Sequence, residues 1–220
     1  MAKRQDRNTS SLRRNNSISR QPRESILIVV EGKETEYNYF EELRNQLRLP
    51  TVDVKVKSSK KSDPLGVVEY ANSLEKQRLD ESKKSLKSPY NKIYCVIDGD
   101  HPNRDNYRSA TQNANQYKYQ LIVSIPCFEL WFFLHFEYST QAYQNCDQLC
   151  KHLKKYVPNY DKAMTSFKEF FDRIEVAIKN SQLLDNFHKE NDSTEIILQN
   201  PSSQVYSLVE LLINQKQFKA

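Results

Sequence analysis

Two apolar runs in this chain end the same way, and that shared ending limits the folds open to it. Ser25-Ile26-Leu27-Ile28-Val29-Val30 runs straight into Glu31-Gly32, and Ile93-Tyr94-Cys95-Val96-Ile97 runs into Asp98-Gly99-Asp100. Runs of β-branched and aromatic residues predict buried strands. In open α/β sheets ligands collect outside the carboxyl ends of such strands, so acids delivered there are expected to carry chemistry. The chain has three glycines, Gly32, Gly66 and Gly99, and two of them directly follow these acids. Lacking a Cβ, glycine permits a tight strand-to-loop turn and close approach of backbone to a bound group.

The segments between these runs alternate in type. Tyr37, Phe40, Leu43 and Leu47 fall on one helical face, with Thr35 expected as N-cap, Glu36 in the first turn where the helix dipole favours an acid, and Pro50 ending the helix. Val52, Val54 and Val56 alternate with Asp53, Lys55 and Lys57, the pattern of a half-exposed strand near a sheet edge. Asp63-Pro64 opens a helix to about Lys84, a polar helix is expected over 103–118, and a fourth strand runs from Gln120 to Ile125, stopping at Pro126. Strand–helix alternation predicts a Rossmann-like α/β fold with a mostly parallel sheet of about four strands. From Pro126 onward the pattern turns helical. Phe128–Glu137 (FELWFFLHFE) is too aromatic to face water all round, and further helices are expected at about 146–156, 165–180 and 202–215. The division that follows is a tail over 1–24, an α/β domain over 25–137 and a helical extension packed on it over 138–220.

Charge is unevenly spread. Lys3, Arg4, Arg7, Arg13, Arg14, Arg20 and Arg23 stand against Asp6 and Glu24 in the tail, a surplus that equals the net charge of +5 of all 220 residues, so the body is formally neutral. A basic, Ser/Asn-rich segment with almost no apolar residues is expected to be disordered. Such an arm can touch phosphates through charge alone, and Arg13 and Arg14 are its candidate contacts; the alternative is a solubilising leader. With 38% hydrophobic residues, 13 Tyr and 10 Phe, the body can fill a core. No signal-peptide pattern and no apolar run of about 20 residues is present, which points to a soluble, cytoplasmic protein with no membrane partner. Oligomeric state is open.

Carboxylates at the ends of two strands suit a hard divalent cation, Mg²⁺ or Mn²⁺, bound through oxygen and leaving positions for water and phosphate. Asp98 and Asp100 can bend toward one ion, and Glu31 joins them if its strand is a neighbour. Clustered acids repel one another, which makes a cation their natural counterweight. The plainer alternative is that Asp98 and Asp100 are turn formers. Lys33 can reach a phosphate or be solvated, and His101 is read as an exposed loop residue. Trp131 and its aromatic neighbours, with His135, are read as core. Cys95, Cys127, Cys146 and Cys150 are expected to be reduced buried thiols. Cys146 and Cys150 lie four apart with His152 close by, but no second pair completes a zinc set.

Three segments, IVVEGKETEYNYFEEL, YCVIDGDHP and SIPCFELWFFLHFE, together with NPSSQVYSLVELL near the end, resemble the RloB-like family, whose members carry a Toprim-type catalytic domain and occur in bacterial defence and abortive-infection loci. The resemblance implies a Toprim-like domain and a metal-dependent nuclease activity on DNA or RNA, often beside a partner ATPase. It places the catalytic glutamate on Glu31, the DxD pair on Asp98 and Asp100, and a further acid of the site on Glu129. Two positions depart from the pattern: Gly99 stands where a basic residue is often found, and Ile125 precedes Pro126 where Asn is more usual. A phosphate-loop NTPase is excluded, because Gly32-Lys33 has no glycine-rich loop before it. A DxD glycosyltransferase gives no reason for Glu31-Gly32. The expectation is a Mg²⁺- or Mn²⁺-dependent nuclease in antiphage defence; the alternative is a non-catalytic nucleic-acid-binding or signalling subunit of a defence complex.

Overall fold

The computed structural model describes residues 24–32, 34–56, 63–99, 104–163, 167–191 and 195–217. Lys33, Asp100, His101, Arg13 and Arg14 lie outside them, as does all of the basic tail except Glu24, which pairs with Lys92 at 2.8 Å.

The apolar runs form the strands their composition predicts. β1 (Ile26–Val30), β2 (Val52–Val56), β3 (Lys92–Asp98) and β4 (Gln120–Ile125) are parallel, and a fifth, β5 (Ser202–Ser203), adds antiparallel to β4 in the order β2-β1-β3-β4-β5. The sheet therefore has five strands rather than about four. β5 is held where Ser203 Oγ meets Ser124 Oγ at 3.0 Å and Gln204 N–H donates to Val123 C=O at 2.9 Å. β2 lies at the edge, as its half-polar alternation requires. β1 sits between β2 and β3, so the chain leaves β1 to one side and later returns on the other. The crevice outside the ends of β1 and β3 is thus the topological switch point of the sheet.

Successive strand residues face opposite sides, and two cores result. Ile26, Ile28, Val30, Tyr94, Val96 and Ile122 pack on the side covered by α1 (Thr35–Leu47), α4 (Glu129–Leu134), α5 (Cys146–Leu153), α6 (Lys168–Phe171), α7 (Ile174–Glu190) and α8 (Val205–Gln217). Leu27, Val29, Ile93, Cys95, Ile97 and Val123 pack on the other, under α2 (Pro64–Lys83) and α3 (Arg104–Tyr117). α2 starts as expected, with Pro64 at its first position and Asp63 accepting from Gly66 N–H at 2.9 Å. α1 stops at a left-handed Arg48, whose φ is 55°, two residues before Pro50. Thr35 is not its N-cap: Glu34 takes that place, and the Thr35 hydroxyl donates to Lys162 C=O at 3.1 Å. The helix expected over 165–180 is interrupted. α6 ends at Phe171, Asp172 and Arg173 break the run, and α7 continues to Glu190.

All six residues of α4 are buried. Trp131 and Phe132 are fully enclosed, Phe132 stacks on Phe170 with ring centroids 4.5 Å apart and on Phe167 at 5.5 Å, and His135 is buried with Nδ1 2.7 Å from Trp131 C=O. The aromatic segment is core, as read. Burial pushes the His135 imidazole down to about 3, so it stays neutral. No helix of the described residues is long and apolar enough to cross a membrane.

Phe132→Ala is expected to lower stability by about 3–5 kcal/mol in urea unfolding, the cost of emptying a filled aromatic site. Leu198→Ala, at a residue 56% exposed, should change it by no more than about 0.5 kcal/mol.

Candidate functional site

Parallel register brings the two acid-bearing strand ends together. Val30 pairs with Val96, so Glu31, one residue on, lies beside the end of β3, and Asp98, two residues past Val96, donates its N–H to Glu31 Oε2 at 3.3 Å. The third strand end joins through backbone: Phe128 N–H, just after β4, donates to Asp98 Oδ1 at 2.9 Å. The structure thus unites Glu31 with Asp98 at the switch point, while the third predicted acid, Asp100, lies outside the described residues.

Glu129 opens α4 and is 2% exposed. Its Oε1 accepts from the Tyr160 hydroxyl at 3.1 Å and pairs with Lys162 Nζ at 3.3 Å; its Oε2 lies 3.2 Å from Cys146 Sγ. Partial burial works against the Lys162 charge, but the Glu129 carboxylate outweighs it and holds the ammonium above its ordinary value. Burial, then Glu129, pushes the Tyr160 phenol up, so it remains a donor.

Glu36 is a member of the site that a first-turn position did not reveal. It is 6% exposed, and burial, with repulsion from Glu129 and Glu31, pushes its carboxyl up to about 7. It can lie so deep because Gly32 has no side chain: a Cβ there would stand 1.9 Å from Glu36 Oε2. Gly99 makes room in the same way for Ile125, whose Cγ1 would be 2.3 Å from an added Cβ. No described glycine has positive φ, so these two serve approach by a side chain rather than a left-handed turn.

The cysteines depart from expectation. Cys127 and Cys146 form a disulfide, because the turn after β4 and the first residue of α5 meet with Cα atoms 5.6 Å apart; Cys95 and Cys150 are free. Burial and Glu129 push the Cys150 thiol up to about 11. His152 takes no part, since its Nδ1 lies 2.8 Å from the Tyr143 hydroxyl. Among the described residues, Cys127, Glu129 and Cys146 are the set whose ligand atoms all lie within 4.8 Å of one another.

The site therefore has an all-oxygen side, Glu31 and Asp98 with Glu36 as electrostatic neighbour, and a sulfur side, reached through Glu129. Crowded acids, one of them driven to hold its proton near neutrality, are a donor set that fits a hard cation. Lys162 and Tyr160 were missed in the sequence because they come from an irregular segment with no motif around it.

The family model described as RloB-like protein matches residues 26–212, nearly the whole described body. No curated protein matches the chain, and no solved structure does.

Two predictions test this geometry. Gly99→Ala should cost about 1–3 kcal/mol through overpacking against Ile125, and much less when introduced into Ile125→Ala, a coupling readable by a double-mutant cycle. For Glu36, the folded-state value is raised above the unfolded one, so its contribution to stability is fully present below about 4.5 and is lost as pH rises through about 7. Metal-free Glu36→Gln should therefore be more stable than wild type at pH 8, by up to roughly 3 kcal/mol, with the gap shrinking toward pH 5 in urea titrations.

Proposed function

The chain belongs to the RloB-like family, and from that premise we propose that it is a Toprim-type, Mg²⁺- or Mn²⁺-dependent nuclease that cleaves nucleic-acid phosphodiesters in antiphage defence, alongside a partner ATPase. The observation that carries the reading is the Glu31–Asp98 pair at the switch point, with Glu36 crowded into a raised protonation state beside it.

Glu31, Asp98 and Asp100 are the residues that would hold the metal. When bound, the metal supplies positive charge to a phosphodiester and lowers the pKa of a water near it. The chain's own groups do the rest. Phe128 N–H fixes the Asp98 carboxylate and Asp98 N–H fixes Glu31, so both acids are oriented before anything binds. Glu36, its carboxyl pushed up by burial and by Glu129 and Glu31, is the group suited to take a proton from an attacking water or return one to a leaving oxygen. Glu129 is held by Tyr160 and Lys162, and the Lys162 ammonium, its side chain 58% exposed, offers a contact for an approaching phosphate. Lys33, Arg13 and Arg14 would add charge along the nucleic acid.

Cleavage of a panel of plasmid DNA, single-stranded DNA and total tRNA with Mg²⁺ or Mn²⁺ tests the reading. We expect one of these to be cut, with activity abolished by a chelator and lowered at least about a hundredfold in Asp98→Ala and Glu31→Ala. No cleavage by the chain alone or with the partner ATPase would leave the binding-subunit alternative.

A further inference from the structure

The cysteines beside Glu129 have no task in phosphodiester cleavage, yet they gather ligand chemistry around it. Cys127 leaves β4, Glu129 opens α4, and Cys146 and Cys150 lie one turn apart on α5. Cys146 and Cys150 present their sulfurs 3.9 Å apart. Two thiolates on one tetrahedral zinc, with Zn–S bonds of about 2.3 Å, stand about 3.8 Å apart. Glu129 Oε2 lies 3.2 Å from Cys146 Sγ, its other oxygen being held by Tyr160 and Lys162, and Cys127 Sγ completes a set with Glu129 and Cys146 inside 4.8 Å.

The geometry points to a second metal centre: once the Cys127–Cys146 bond is reduced, Cys127, Cys146, Cys150 and Glu129 bind one soft tetrahedral divalent cation of the zinc class. Helical spacing of four places two ligands on one face, and the fold brings the other two from a segment nearly twenty residues away. Three sulfurs and one oxygen select zinc over magnesium, whose octahedral oxygen preference belongs to the Glu31–Asp98 side. Lys162 Nζ, 3.3 Å from Glu129 and 3.9 Å from Cys146 Sγ, is the cation that now faces this set, and its half-exposed side chain is free to swing outward when the metal arrives.

A dithiol reductant gives two electrons and two protons to the Cys127–Cys146 bond and becomes a disulfide; the metal then binds as three thiols release their protons to solvent. The disulfide and the metal are alternative crosslinks between the same two segments. Either one pins the Cys127-Phe128-Glu129 turn to α5, and through Phe128 N–H it keeps Asp98 in place. The centre is a positioning device for the acid pair, and its existence does not rest on the nuclease reading.

The test uses the full chain, reduced with a dithiol, desalted without oxygen and titrated with Co²⁺, then with Zn²⁺ in competition. We expect one thiolate-bound Co²⁺ per chain, read from thiolate-to-cobalt charge-transfer bands and the visible bands of a tetrahedral ion, displaced by Zn²⁺ and absent from the oxidised chain. Cys127→Ser and Cys150→Ser should each lower the charge-transfer intensity by about a third, one thiolate of three. Cys95→Ser, in the opposite core, and Asp98→Ala, on the oxygen side, should leave it unchanged. Reduced wild type without a charge-transfer band, or a band that survives in Cys127→Ser and Cys150→Ser at full strength, would overturn the proposal. Bands present in a chain that cuts no nucleic acid, alone or with the partner ATPase, would retain the zinc centre and remove the nuclease reading.

Discussion

A helix buried on every side cannot exist without something to bury it. α4 is such a helix, with Trp131, Phe132, Phe133 and Leu134 all at or near zero exposure. β-sheet covers one flank; the remaining flanks need α1, α5, α6, α7 and α8, and their aromatic residues meet it edge-on or stacked, as Tyr39, Phe167 and Phe170 do. Dense aromatic contact gives both large burial and a fixed ring geometry. The helical segments after residue 137 thus share one apolar core with β1 and β4. Because Glu129 and the Phe128 N–H stand at the start of this helix, packing that holds the helix also fixes the position of the site.

Electrostatics sets a second demand at the same place. Burying several acids together is unfavourable unless donors or cations answer them. Here the answer is distributed: backbone N–H groups serve Glu31 and Asp98, Tyr160 and Lys162 serve Glu129, and burial with the neighbouring acids pushes the Glu36 carboxyl toward its neutral form. An arrangement with this residual need for positive charge is suited to taking up a cation.

Much of this was legible before any coordinates. β1 and β4 fall at the residues their apolar runs predict, because strands buried on both faces need runs rich in β-branched residues, as ILIVV and the end of QLIVSI are. The acid-bearing strand endings were visible, with the adjacency of Glu31 and Asp98 left conditional on strand order, and the buried aromatic helix followed from composition. What escaped has its reasons. β5 is two serines, whose place in the sheet comes from contacts with β4 and from nothing in their own pattern. α6 and α7 read as one helix because apolar spacing continues across Asp172 and Arg173. The Cys127–Cys146 bond joins residues whose separation of 19 has no periodic meaning. Glu36 was visible only as a favourable partner for a helix dipole, since burial of a side chain under a neighbouring glycine is a property of three dimensions.

The contact between Gly99 and Ile125 couples the residue after Asp98 to the residue before Pro126. A side chain at 99 has no room unless the isoleucine at 125 shifts, so a change at one position is constrained by the other. The sequence between the two aspartates is therefore contingent on a residue more than twenty positions away, and a comparison of relatives that scores each position alone would overlook this dependence.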